Sequence, residues 1–134
     1  MPVSSIKSTI CAPLERVWDA VTDAAVYGWR SDLSRTEILG ENRFIEYSPG
    51  NYATYFTVAS CIPGERWELD MENTNMRGHW VGMFRAEGEV TCVEFTENVT
   101  AKKFYLRPFV RSYLKRQQSR FIADLKAHLE KCSL

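Results

Sequence analysis

Hydrophobic positions along the chain follow two periods, and the change from one to the other divides it. Towards the C-terminus Val110, Leu114, Gln117, Phe121, Leu125, Leu129 and Cys132 recur every three or four residues, the spacing of one face of an α-helix. This predicts a helix over Leu106 to Cys132, with Pro108 in its first turn, where a missing N–H costs nothing. Arg107, Arg111, Lys115, Arg116 and Arg120 fall on the other side. At roughly 1.5 Å of rise per residue the rod is on the order of 35–40 Å long, so its apolar face needs a partner surface as long as a small domain.

The same helical period appears once near the start. After a first strand over Val3 to Cys11, Pro13 leads into Leu14, Val17, Trp18 and Val21, with Glu15, Arg16 and Asp19 turned outward, a short amphipathic helix. Residues Asp23 to Gly28 could add one or two further helical turns ending at glycine. Trp29 to Asp32 then connects to a region where the period falls to two. Thr36 to Leu39 and Arg43 to Tyr47 read as a hairpin, Tyr52 to Ile62 as a long strand, and Arg66 to Glu72 as a strand with Trp67, Leu69 and Met71 on one face. In Met76 to Arg85, Gly78, Trp80, Gly82 and Phe84 alternate with Arg77, His79, Val81 and Met83; Thr91 to Thr96 follows with Val93 and Phe95 on one parity. Pro49-Gly50 and Pro63-Gly64 supply turn chemistry between them.

Strands joined by tight turns must be antiparallel neighbours, because a parallel pair needs a crossover of a dozen residues or more. Helices kept to the two ends of such a run define an α+β fold: a curved antiparallel sheet of about seven strands wrapped around a long C-terminal helix, with short helices after the first strand. A twisted sheet closed by a straight rod leaves volume between them. That volume is where function is expected.

Length and composition fit one domain spanning residues 1 to 134, with 45% hydrophobic and 25% charged residues. The zero formal net charge argues against general nucleic-acid binding. It hides an asymmetry: from Lys102 onward nine basic residues face two acidic ones, while the first 101 residues carry eight basic and fifteen acidic groups. The basic helix face should therefore lie against an acidic sheet, or recruit an anionic partner. Cys11, Cys61, Cys92 and Cys132 form no metal-binding spacing, and no secretion signal or apolar run of membrane-spanning length is present. The expectation is a cytoplasmic protein with reduced thiols, no metal, no cofactor and no stable membrane insertion.

Ala12-Pro13-x-Glu15-x-Val17-Trp18, Asp23 at the helix end, Trp29-Arg-Ser-Asp32, Gly78-x-Trp80 and the terminal helix together resemble the START-like superfamily, also called SRPBCC or polyketide cyclase/dehydratase-like, with its helix-grip fold. The resemblance covers nearly the whole chain. It implies a hydrophobic cavity between sheet and helix, as in lipid and hormone carriers, aromatase/cyclases, ring-hydroxylase subunits and co-chaperone domains. Because these share no catalytic motif, it implies no catalytic residue.

The cavity wall is expected to come from the inward parity of the strands and the apolar helix face: Trp29, Phe56, Val58, Trp67, Leu69, Met71, Trp80, Phe84, Val93, Phe95, Leu114 and Phe121. Each could equally be plain core. Glu46 is a weak catalytic candidate. If Phe44 and Glu46 face inward, it is a desolvated acid or base; if Ile45 and Tyr47 do, it is a surface residue. His79 reads as solvent-facing, His128 as a cation near the helix C-terminus, and Arg30 with Asp32 as an ion pair or a gate by the cavity entrance. The expected ligand is a small hydrophobic or aromatic molecule, lipid-like or polyketide-like. An enzyme of the cyclase or dehydratase type and a protein-interaction domain remain alternatives.

Overall fold

The chain, described here by a computed structural model over residues Val3 to Glu130, runs β1 (Val3–Ile10), α1 (Leu14–Thr22), β2 (Arg35–Gly40), β3 (Arg43–Ser48), β4 (Tyr52–Ile62), β5 (Arg66–Glu72), β6 (Met76–Glu87), β7 (Val90–Ala101), a 3-10 segment (Phe104–Phe109) and α2 (Val110–Glu130). The seven strands form one antiparallel sheet in the order β1-β7-β6-β5-β4-β3-β2. The hairpin run is consecutive, and β1 closes the far edge by pairing with β7. Gly50, Gly64 and Gly88 take the positive φ that their turns require.

Three expectations are corrected. Residues Asp23 to Gly28 form isolated turns, so only one helix follows β1; the chain instead donates from Val26 N–H to Asp23 O and from Arg30 N–H to Tyr27 O. The terminal α-helix begins at Val110 rather than Leu106, with Pro108 inside a 3-10 segment. Its 21 described residues make a rod of about 32 Å. Cys132 lies outside the described residues. Finally, β7 continues five residues beyond Thr96, which matters for the site.

The buried face of α2 consists of Val110, Leu114, Gln118, Ile122, Leu125 and Leu129. Gln118, one residue from the position expected, is the polar member of that buried face. It accepts from the Ser4 hydroxyl at 2.8 Å and donates to the carbonyls of Ser4 at 2.8 Å and Phe95 at 3.3 Å, tying the helix to β1 and β7. Of the basic set, Lys102 ahead of the helix pairs with Glu72 of β5 at 2.6 Å, while on α2 itself Lys115 donates to Ser5 O and Arg120 to Ser31. No helix among the described residues is long and apolar enough to cross a membrane.

The apolar interior is in two parts. The larger joins Ile10, Val17, Trp67, Phe84, Phe95 and Leu125 among others under α1 and the C-terminal half of α2. The smaller holds Val99, Ala101, Val110 and Leu114 at the other end. Between them the interior is not filled.

Candidate functional site

The unfilled region is a cavity of about 160 Å³ between the sheet and α2. Of the twelve expected wall residues, Trp29, Phe56, Trp67, Leu69, Met71, Trp80, Phe95, Leu114 and Phe121 line it. Val58 instead lines a more open groove of about 360 Å³ between the end of α1 and β2 to β4. Phe84 and Val93 are core residues away from the cavity; Phe84 packs edge-on against Trp18, with centroids 4.9 Å apart. The wall aromatics touch in a continuous series: Trp29 and Phe95 each meet Phe121 edge-on at 5.4 Å, Phe95 meets Trp80 at 5.0 Å, and Trp80 meets Trp67 at 6.0 Å. Gly82 makes room for Trp80, whose ring would lie 2.6 Å from a Cβ there.

The connector after α1 carries the first charged group. Ser31 donates through its N–H and hydroxyl to Asp124 at 2.8 Å and receives Arg120, which pins the connector to α2. Trp29 stacks on His128 at 5.7 Å, so His128 supports the wall. The Trp29 indole N–H has no acceptor, alone among buried side-chain polar atoms of the described residues. That places its ring by packing alone. Arg30 points inward over Phe121, 4.8 Å from the ring centroid. Its fork donates to both Asp32 oxygens at 3.1 and 2.8 Å and to Glu46 at 2.9 and 3.4 Å. Burial opposes its charge, but Glu46 and Asp32 outweigh it and hold the guanidinium firmly protonated.

Glu46 therefore faces inward with Phe44, and Tyr47 faces outward, its hydroxyl donating to Glu37. Glu46 is nevertheless an ion-pair partner rather than a free acid. The unpaired inward carboxyl belongs to Glu97, which the sequence reading missed. It lies opposite Trp80 in the β6–β7 register and on the same parity as Phe95 and Val99, at the break between the two parts of the core. No described residue hydrogen-bonds to it. Burial chiefly, with repulsion from Glu46 and against the pull of Arg30, pushes its pKa up to about 7. Tyr113, with Gln117 donating to its hydroxyl at 3.4 Å, completes this wall; burial and then Glu97 raise its phenol above the usual range. The signal for Glu97 was the parity rule itself, carried past Thr96.

His79 lies on the opposite face of the sheet, bonded at 2.8 Å to both Asp70 and Glu68, with Arg66 on Glu68. Asp70, then Glu68, raise its pKa above 6.5. A raised folded value means that its contribution to stability is full below pH 6.5 and is lost as the pH rises through that value. Urea unfolding of His79→Gln is expected to show a lower midpoint than wild type at pH 5.5 and little difference at pH 8.5.

A curved seven-stranded antiparallel sheet gripping a terminal helix around an aromatic hollow defines the START-like, helix-grip fold, and this chain has it. Among solved structures it is similar to a START superfamily protein of Mycobacterium smegmatis, with TM-score 0.88 and 13% identity over 97% of this chain and 98% of that one. A conserved protein of Geobacillus kaustophilus gives TM-score 0.82 and 14% identity over 96% and 95% of the two chains. DynU16, a protein of the dynemicin biosynthetic locus, gives TM-score 0.76 and 16% identity, with 98% of this chain matching 48% of that one. At these identities the likeness is one of fold. No protein-family model matches the sequence, and no match is found among curated proteins.

Proposed function

We propose that the protein binds a small aromatic molecule in the cavity between the sheet and α2. The observation that carries this is the hollow itself, walled by Trp29, Trp80, Phe95 and Phe121 where the core is interrupted. Its 160 Å³ lies below the roughly 300–1,000 Å³ common for drug-sized ligands and close to the roughly 150 Å³ in which benzene binds. The expected guest is therefore a molecule of one or two rings, smaller than a lipid or a multi-ring polyketide. A second reading, proton-transfer catalysis of the cyclase or dehydratase type, is supported by Glu97: a carboxyl titrating near 7 in an apolar wall can give or take a proton at neutral pH.

The binding reading is tested by titrating the protein with 2-phenylethanol while following tryptophan fluorescence, since Trp29, Trp67 and Trp80 all line the cavity. Saturable quenching, and native mass spectrometry showing one molecule retained, are the expected results. A linear, unsaturable response up to millimolar concentration, from this alcohol and from its amine and carboxylate analogues alike, would sink the proposal.

A further inference from the structure

The charged groups of the cavity say which kind of aromatic molecule fits it. The partly buried charged groups of the wall are the carboxyls of Asp32, Glu46 and Glu97 against the guanidinium group of Arg30, while Glu72, at the rim, is exposed and pairs with Lys102. An anionic ligand would look to Arg30, but that fork is already occupied by two carboxylates, Asp32 at 2.8 Å and Glu46 at 2.9 Å. The triad as a whole carries one negative charge, so it repels an incoming carboxylate or phosphate.

Glu97 has the opposite character. It is half-buried, sits in the cavity wall on the inward parity of Phe95 and Val99, and receives no hydrogen bond from any described residue. Around it stand Trp80, its register partner, and Phe95, with Phe121 and Trp29 beyond. Faces of aromatic rings attract cations, Trp most strongly, and the attraction grows where water is excluded. An unpaired carboxyl within an aromatic wall is the acceptor set that recognises an organic ammonium group. We infer that the cavity selects a small aromatic amine, its ring against Trp29, Phe121 and Trp80 and its ammonium group on Glu97.

This rests on the binding reading above and narrows it. The ammonium supplies Glu97 with the hydrogen bonds and opposing charge that the wall withholds. It is also attracted by the net charge of the Arg30 triad. Binding favours ionised Glu97, so below pH 7, where the carboxyl is protonated, the amine must displace a proton and its affinity falls.

Three probes of similar size separate the possibilities by fluorescence titration and calorimetry at pH 8: 2-phenylethylamine, which is protonated there, neutral 2-phenylethanol, and anionic phenylacetate. Expected is an amine affinity about tenfold or more above that of the alcohol, with phenylacetate weakest. Lowering the pH from 8 to 5.5 should reduce that preference, and Glu97→Gln should bring it to within about twofold. Equal or tighter binding of the alcohol or of phenylacetate at pH 8 overturns the inference while the binding reading stands. An amine preference that survives Glu97→Gln overturns the assignment of Glu97. Failure of all three probes to saturate removes both readings.

Discussion

Gly78→Ala is expected to lower the melting temperature by on the order of 10 °C, the cost of about 3 kcal/mol that overpacking a close backbone contact carries in a chain of this size. A Cβ at Gly78 would sit 2.4 Å from the Asn98 carbonyl oxygen and 2.9 Å from Val99 Cα. These are backbone atoms of the adjacent strand, in a register that pairs Gly78 with Val99, so no rotamer change can relieve them. β6 and β7 would have to part beside Val99 and Ala101, each 2% exposed. Gly82→Ala differs in kind, because its Cβ would meet the Trp80 ring, a side chain that can turn. Gly28→Ala, with nothing within 4 Å, is the control and should stay within about 0.5 kcal/mol. Circular dichroism melts decide it: a Gly78→Ala shift below about 2 °C would show that β6 and β7 can absorb the methyl group.

The Gly78-x-Trp80 pattern shows why so much of the fold was legible. Period-two runs bounded by Pro-Gly turns leave little choice of pairing, and a terminal stretch with three-to-four spacing can only lie across the sheet. The misreadings have local causes. Asp23 to Gly28 contains helix formers, but turns closed from Val26 and Arg30 bring Trp29 and Arg30 to the cavity. Gln118 rather than Gln117 is the deep residue because Ser4 and Phe95 offer it three hydrogen bonds, partners that lie 114 and 23 residues away and leave no trace in local spacing. The site was read less well than the fold for the same reason. Glu46 and Glu97 both sit on inward parities, yet only the distant Arg30 distinguishes a neutralised carboxylate from an unpaired one. A charged residue in a strand also masks the alternation that would have extended β7 to include it.

Replacing that unpaired carboxyl gives the other large effect. Glu97→Gln is expected to stabilise the folded protein by up to about 3 kcal/mol at pH 8.5 and to leave it unchanged at pH 4. In the unfolded chain Glu97 titrates at 4.5, and in the folded one at about 7, so the native state holds the proton more tightly. Below pH 4.5 the carboxyl is protonated in both states and costs nothing. Between 4.5 and 7 the unfolded state ionises first, and folding loses about 1.36 kcal/mol per pH unit until the folded value is passed. Glutamine keeps the shape and cannot ionise, so the loss disappears. His79 also carries a raised value and slopes the wild-type curve in the same direction, but it is common to both proteins and cancels in their difference. Urea midpoints from pH 4 to 8.5 measure that difference directly; parallel curves would mean that Glu97 reaches water when it ionises. A guest that supplies Glu97 with a counter-charge should restore what ionisation removes. Saturating 2-phenylethylamine is therefore expected to flatten the wild-type decline between pH 4.5 and 7 and to do so far less in Glu97→Gln, whereas 2-phenylethanol should raise both curves without changing their slopes.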